Sequence, residues 1–144
     1  MKTLIYTIEI KANKDKVWQS LWEKENYTIW TAPFTPGCYY ETTSFSEGNE
    51  IRFLASNGDG MISKIVKLQP QEHIAFEHLS MLENGTISSL NTNEDSHVYI
   101  ESYTLQENEN SVTLIVKVDT LEPWEETMNN SFPKALQIVK ELSE

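Results

Sequence analysis

The segment from Trp124 to Glu144 dictates the layout of everything before it. Its apolar residues Trp124, Met128, Phe132, Ala135, Leu136, Val139 and Leu142 step by three and four, which places them on one stripe of a helix. Pro123 stands at the first turn, where its fixed φ helps and its missing N–H costs nothing. Glu125 and Glu126 in the first turn and Lys140 in the last suit the helix dipole. A stripe rich in Trp, Met and Phe has to lie against something wide and apolar, and a sheet is the natural candidate. Pro133 is the irregularity: inside a helix it removes the bond to the Asn129 carbonyl, at about 3 kcal/mol in an exposed setting. Two readings follow. In one, a continuous helix bends near Asn129–Asn130, with Ala135, Leu136, Val139 and Leu142 docked and Trp124, Met128 and Phe132 arching over space. In the other, Pro133 opens a separate helix capped by Ser131.

The preceding chain supplies the strands. Leu4, Tyr6, Ile8 and Ile10 alternate in a half-buried strand over residues 4–11. Asn13 is a plausible N-cap for a short helix carrying Val17, Trp18, Leu21 and Trp22 and ending near Lys24. Tyr27–Trp30 forms a second short helix, stopped by Pro33. After a Pro36-Gly37 turn, a strand is expected over 38–44, and Ser46–Asn49 turns it back. Ile51–Ala55 and Met61–Leu68 then flank Asn57-Gly58-Asp59-Gly60, whose glycines supply the positive φ of a tight hairpin. A phosphate-cradling loop is rejected there, because no helix N-terminus follows. The strand His73–Leu82 places Ile74, Phe76 and His78 on one face. Glu83–Ser96 reads as a long polar loop, and Val98–Leu105 with Val112–Leu121 as a last hairpin. One strand, two short helices, a run of about six antiparallel strands and a long helix predict an α+β helix-grip domain, a curved antiparallel sheet wrapped around its C-terminal helix with a cavity between them.

At 144 residues the chain fits one domain, 1–144, able to bury roughly two-thirds of its unfolded surface. No apolar run approaches the ~20 residues of a membrane span, so no stable membrane insertion is expected. No basic stretch followed by an apolar one opens the chain, which predicts a cytoplasmic protein. Cys38, the single cysteine, fits a reducing compartment and reads as a buried thiol rather than a nucleophile. A net charge of −11 opposes binding to nucleic acid or anionic membranes and leaves a basic protein partner open. Solubility is its plain explanation.

Few residues offer chemistry. His78 shares parity with Ile74 and Phe76 and so points inward, where a neutral imidazole could bond a ligand or act as a base; a core histidine bonded to its neighbours is the default. His73 and His97 fall near loop ends and are expected in solvent, and the three histidines lack zinc spacing. No nucleophile elbow, Walker loop or dinucleotide glycine pattern occurs. Glu125 and Glu126 are explained by the helix dipole, and Tyr39-Tyr40, Trp18 and Trp22 by packing. Trp30, Phe34, Phe53, Met128 and Phe132 would make a soft apolar lining, although core packing is their default reading.

Several stretches resemble the START-like (SRPBCC) superfamily, which includes birch-pollen-allergen-type carriers, and within it the AHSA-type branch named for activators of the heat-shock chaperone ATPase. Ile8-Glu9-Ile10-Lys11-Ala12-Asn13-Lys14-Asp15-Lys16-Val17-Trp18 is similar to the strand-then-helix opening, and Tyr27-Thr28-Ile29-Trp30-Thr31 to the second-helix tryptophan segment. Gly58–Met61 and Pro70–Leu79 resemble the central hairpin and the strand after it, and Phe132-Pro133-Lys134-Ala135-Leu136 an element of the closing helix in bacterial members. The likeness covers essentially the whole chain and implies the helix-grip fold. Eukaryotic activators carry a separate N-terminal chaperone-binding domain that has no counterpart in these residues. The expectation is therefore a non-catalytic binder of a small hydrophobic or amphipathic molecule, lipids included, in a cavity lined by Trp30, Phe34, Phe53, Phe76, His78, Met128, Phe132 and Leu136. An interaction module regulating a chaperone in a stress response is the rival, and an enzyme using His78 a weaker one. No cofactor and no metal are expected.

Overall fold

The computed structural model describes residues 2–89 and 98–144. Strand β1 (Lys2–Ile10) leads into helices α1 (Lys14–Trp22) and α2 (Lys24–Trp30). Seven more strands follow: β2 (Tyr39–Glu41), β3 (Glu50–Leu54), β4 (Gly60–Gln69), β5 (His73–Glu83), β6 (Thr86–Ser89), β7 (Tyr99–Glu107) and β8 (Val112–Thr120). A 3₁₀ turn at Glu122–Trp124 then opens the long helix α3 (Glu125–Ser143). Among the described residues the strands form one curved antiparallel sheet, ordered β1-β8-β7-β5-β4-β3-β2, with β6 beside β5. This is the α+β architecture that the order of patterns predicts.

Local chemistry explains the boundaries. The Asn13 side chain accepts the Lys16 N–H at 2.8 Å and starts α1, and Glu23, in an extended conformation, separates α1 from α2. β1 buries Leu4 and Ile10 on the predicted face and leaves Ile5 60% exposed. The strand expected over 38–44 shrinks to Tyr39–Glu41. Thr42 Oγ1 donates to the carbonyls of Ser44 and Glu50, and such side-chain bonds draw the backbone out of the ladder.

The polar loop expected over Glu83–Ser96 needs a larger correction. Asn84 (φ 50°) and Gly85 (φ 83°) make a tight turn, and Thr86–Ser89 return as β6 along the end of β5. Asn-Gly is a strong hairpin signal, and here it overrides the polar composition around it. The rest of that predicted loop, together with His97, lies outside the described residues.

α3 runs without interruption through Pro133, which overturns the separate-helix reading. Ser131 caps nothing; it is buried, and its hydroxyl donates to the Pro33 carbonyl at 3.4 Å. The helix tolerates the proline because Pro133 and Asn129, whose carbonyl loses its donor, both face solvent. α3 lies against β1, α1 and α2. Ala135, Leu136 and Val139 are buried there in a core shared with Ile10, Val17 and Leu21. Beside them the Trp22 ring sits at the hub of an aromatic cluster, 4.9 Å from Tyr103 and 5.5 Å from Phe76.

Candidate ligand cavity

The first half of α3 lies over a different surface. Between it, α2 and the strands β3, β4, β5, β7 and β8 is a cavity of about 680 Å³. Small-molecule sites are typically ~300–1,000 Å³. Its exposed wall residues, Asn57, Asp59, Glu83, Asn84, Trp124 and Thr127, mark the mouth; buried Tyr27, Trp30, Tyr99, Tyr103 and Phe132 mark the inner end.

The rim opposite the helix is made by two hairpin tips clasped to each other. The Asn84 N–H donates to Asp59 Oδ1 at 3.0 Å, and the Gly85 N–H to the Gly58 carbonyl at 3.0 Å. Gly60 at the foot of the β3–β4 tip has to be glycine. A Cβ there would stand 2.2 Å from the Phe53 carbonyl oxygen. At the other side Phe132 is stacked on Tyr6 at 4.9 Å and meets Phe34 edge-on at 4.8 Å.

Of the residues expected in the lining, Trp30, Phe34, Phe53, His78, Met128 and Phe132 stand in the cavity wall. Phe76 and Leu136 do not. Phe76, fully buried, is covered by Trp22 and Phe53, and Leu136 is buried in the hydrophobic core cluster. Both have the right parity or spacing for an inward residue, but inward here means the filled end of the core. Cys38 lines the cavity, its thiol donating to the Thr35 carbonyl at 3.1 Å, and burial raises its pKa. An inert thiol fits that setting.

A polar chain crosses the inner wall. Register places Ser63 of β4 opposite His78 of β5, beside a bulge that carries Leu79 outward. Ser63 Oγ lies 2.6 Å from His78 Nδ1, His78 Nε2 lies 2.9 Å from Glu101 Oε1, and the Tyr103 hydroxyl donates to Glu101 Oε2. Among the described residues Ser63 Oγ has no other partner, so satisfying its proton assigns it to Nδ1, and Nε2–H then donates to Glu101. Burial pushes the Glu101 carboxyl up. The His78 hydrogen bond, the charge of that ring when protonated, and the Tyr103 hydroxyl outweigh it and hold the carboxyl below its ordinary range. Burial, and then the charge of Glu101, push the Tyr103 and Tyr27 hydroxyls well above theirs.

Both nitrogens of His78 are therefore occupied. The ring cannot meet a ligand as a base without giving up Ser63 or Glu101. Ser63, fully buried and outside the cavity wall, is no nucleophile despite the Ser-His-Glu order. What the chain presents to the cavity is the carboxylate of Glu101, which sequence reasoning passed over. Its signal was parity: Tyr99, Glu101, Tyr103 and Leu105 alternate on one face of β7, and a glutamate in that row is an inward-facing charge. His73, expected in solvent, is half-buried, its Nδ1 2.7 Å from Thr104 Oγ1. Its pKa is lowered by burial and then by Lys67 and Lys117. Among the described residues no group of His, Cys, Asp and Glu is arranged to hold a metal. No helix among the described residues is long and apolar enough to cross a membrane.

Solved structures share the fold of this chain. A protein from Mesorhizobium loti superposes with a TM-score of 0.75 at 10% identity, over 98% of this chain and 96% of its own. The fold is a helix grip. The Aha1 dimer from Colwellia psychrerythraea shares the helix-grip fold with a TM-score of 0.67 at 19% identity, over 99% of this chain and 97% of that one. DynU16, from the dynemicin biosynthetic locus, gives 0.71 at 12% identity; 98% of this chain is matched, spanning 46% of that longer one. At these identities the likeness shows the fold alone. No protein-family model matches the chain, and no curated protein matches it in sequence.

Proposed function

We propose that the protein binds a small hydrophobic or amphipathic molecule, lipids among the candidates, in the cavity under the first half of α3, without catalysis. The observation that carries this reading is the cavity itself: about 680 Å³, walled mainly by aromatic and aliphatic side chains, with His78 and Glu101 among the polar groups at its inner end. An environment-sensitive apolar dye should bind the native protein saturably, and Met128→Trp or Phe132→Trp, which fill space, should weaken it. Saturable binding unchanged by both substitutions would place the dye elsewhere and remove the proposal. Native mass spectrometry of protein from its own host would name the ligand.

The sequence motifs and the helix-grip neighbours together support placing the chain in the START-like superfamily, in its AHSA-type branch. Its single cysteine supports a cytoplasmic setting. The likeness to the Aha1 dimer favours one further reading, an interaction module regulating a chaperone ATPase. With a net charge of −11, such a contact should weaken as salt rises. Pull-downs at low and high salt that recover no stoichiometric partner would sink it.

A further inference from the structure

The described wall of the cavity carries four carboxylates, Asp59, Glu83, Glu101 and Asp119, and no lysine or arginine. Three of them are accounted for without a ligand. Asp59 accepts the Asn84 N–H at 3.0 Å and Asn57 Nδ2 at 3.1 Å, and Asp119 accepts Thr3 Oγ1 at 2.6 Å and the Ile100 N–H at 3.0 Å. Glu83 is exposed at the mouth. Glu101 differs, with its side chain only 22% exposed at the inner end. Each of its oxygens accepts one bond, from His78 and from Tyr103, which leaves lone pairs free for a donor arriving from the cavity. No lysine or arginine stands in the described wall to offset that charge.

Tyr27 is the second observation. It is 8% exposed and stands in the cavity wall, yet its hydroxyl makes no hydrogen bond among the described residues. The hydroxyl is not sealed in; it opens on the cavity, where water or a ligand can meet it. It lies close enough to Glu101 to feel that carboxylate's charge. A cavity-facing hydroxyl within the field of a carboxylate that has spare lone pairs outlines where a polar headgroup would sit. Trp30, Phe53, Tyr103 and Phe132 line the same space, and an aromatic ring attracts a cation placed over its face.

We infer that the cavity selects organic cations, a protonated amine on an apolar body, with the ammonium received by Glu101 and the Tyr27 hydroxyl; this rests on the ligand-binding role proposed above. A carboxylate headgroup in that place would be desolvated next to Glu101 with no cation to meet it, and burying an unpaired charge is costly. An alcohol can donate to Glu101 but brings no charge. The overall charge of −11 adds long-range attraction for a cation.

The experiment is displacement of the apolar dye at neutral pH by octylamine, octan-1-ol and octanoate, which share one chain length. Octylamine should displace at a concentration at least about ten-fold below octanoate, with octanol between them. In Glu101→Gln that advantage should collapse to a few-fold. Tyr27→Phe removes a hydroxyl that holds nothing in the fold, so the variant should stay as stable while octylamine binds several-fold more weakly. It decides the matter even if Glu101→Gln does not fold. Met128→Trp should weaken all three ligands together. Octanoate binding as tightly as octylamine would overturn the inference. So would an amine advantage that survives Glu101→Gln, or octylamine binding that survives Met128→Trp and therefore belongs to the acidic surface. If the dye binds saturably but the amine has no advantage, only the selectivity falls. If nothing binds the native protein, the binding role falls and takes this inference with it.

Discussion

The two halves of α3 carry one continuous apolar stripe and rest on opposite kinds of ground. Ala135, Leu136 and Val139 are at most 2% exposed, set into Ile10, Val17 and Leu21. One turn and more before them, Met128 is half-buried and Trp124 is 44% exposed, and beneath them lie space, a carboxylate and a histidine. The stripe is the same; what differs is whether the opposing wall fills the gap. Under the second half, β1 and α1 bring aliphatic side chains up to the helix. Under the first half, the wall spends its inward positions on Glu101 and His78, which bond each other rather than the helix. The fold is secured by one half of its closing helix, and the other half is left free to serve as a roof.

Truncation should separate the halves most sharply. Leu136→Ala should cost about 2–5 kcal/mol, and Met128→Ala, which only enlarges an existing space, about 1 kcal/mol or less, read by urea denaturation. Equal costs would mean that the roof packs as tightly as the anchor. Next in size, His78→Ala leaves Ser63 without its partner and Glu101 short of a donor, and should destabilise by about 1–3 kcal/mol. If instead it proves neutral, the polar chain contributes nothing to the wall.

Acidification probes the same wall more gently. The Glu101 carboxyl is held below its ordinary range in the folded state, so it stabilises the fold fully above that range. The contribution is lost as pH falls through the folded value. The stability gap between the native protein and Glu101→Gln should be flat near neutrality and narrow in the acid range. A gap that widened on acidification would reverse the assigned sign. The smallest effect is expected from Pro133→Ala. It restores a helical bond at an exposed site but frees the unfolded chain, for a net rise of about 1 kcal/mol or less, and it should shift dye affinity if the proline shapes the roof.

Element order, the inward faces of β1 and β5, and the extent of the closing helix were legible because each has a clear period. β6 was also legible in principle, since Asn84-Gly85 specifies a hairpin, but the surrounding polar residues favour a loop. Phe76 and Leu136 show the limit of period alone. It says inward, and it does not say whether the space met there is filled. Glu101 shows the opposite limit. Its position in the row Tyr99, Tyr103, Leu105 announces an inward-facing charge, but its partners come from β5 and from its own strand, and only register brings His78 and Ser63 to it. His73 escaped solvent for the same reason, because Thr104 is its cross-strand neighbour.

The placement of the tryptophans has an optical consequence. Trp22 and Trp30 sit within the aromatic cluster at 5% and 2% exposure, and Trp18 packs edge-on against Trp22. Trp124 stands apart at the cavity mouth, 44% exposed. Intrinsic emission therefore divides into a shielded group and one solvent-facing fluorophore. A collisional quencher such as iodide reaches the second far more readily than the first. That indole is one of the exposed residues at the mouth beneath α3, so the quenchable fraction of the light is a built-in gauge of how crowded the entrance is.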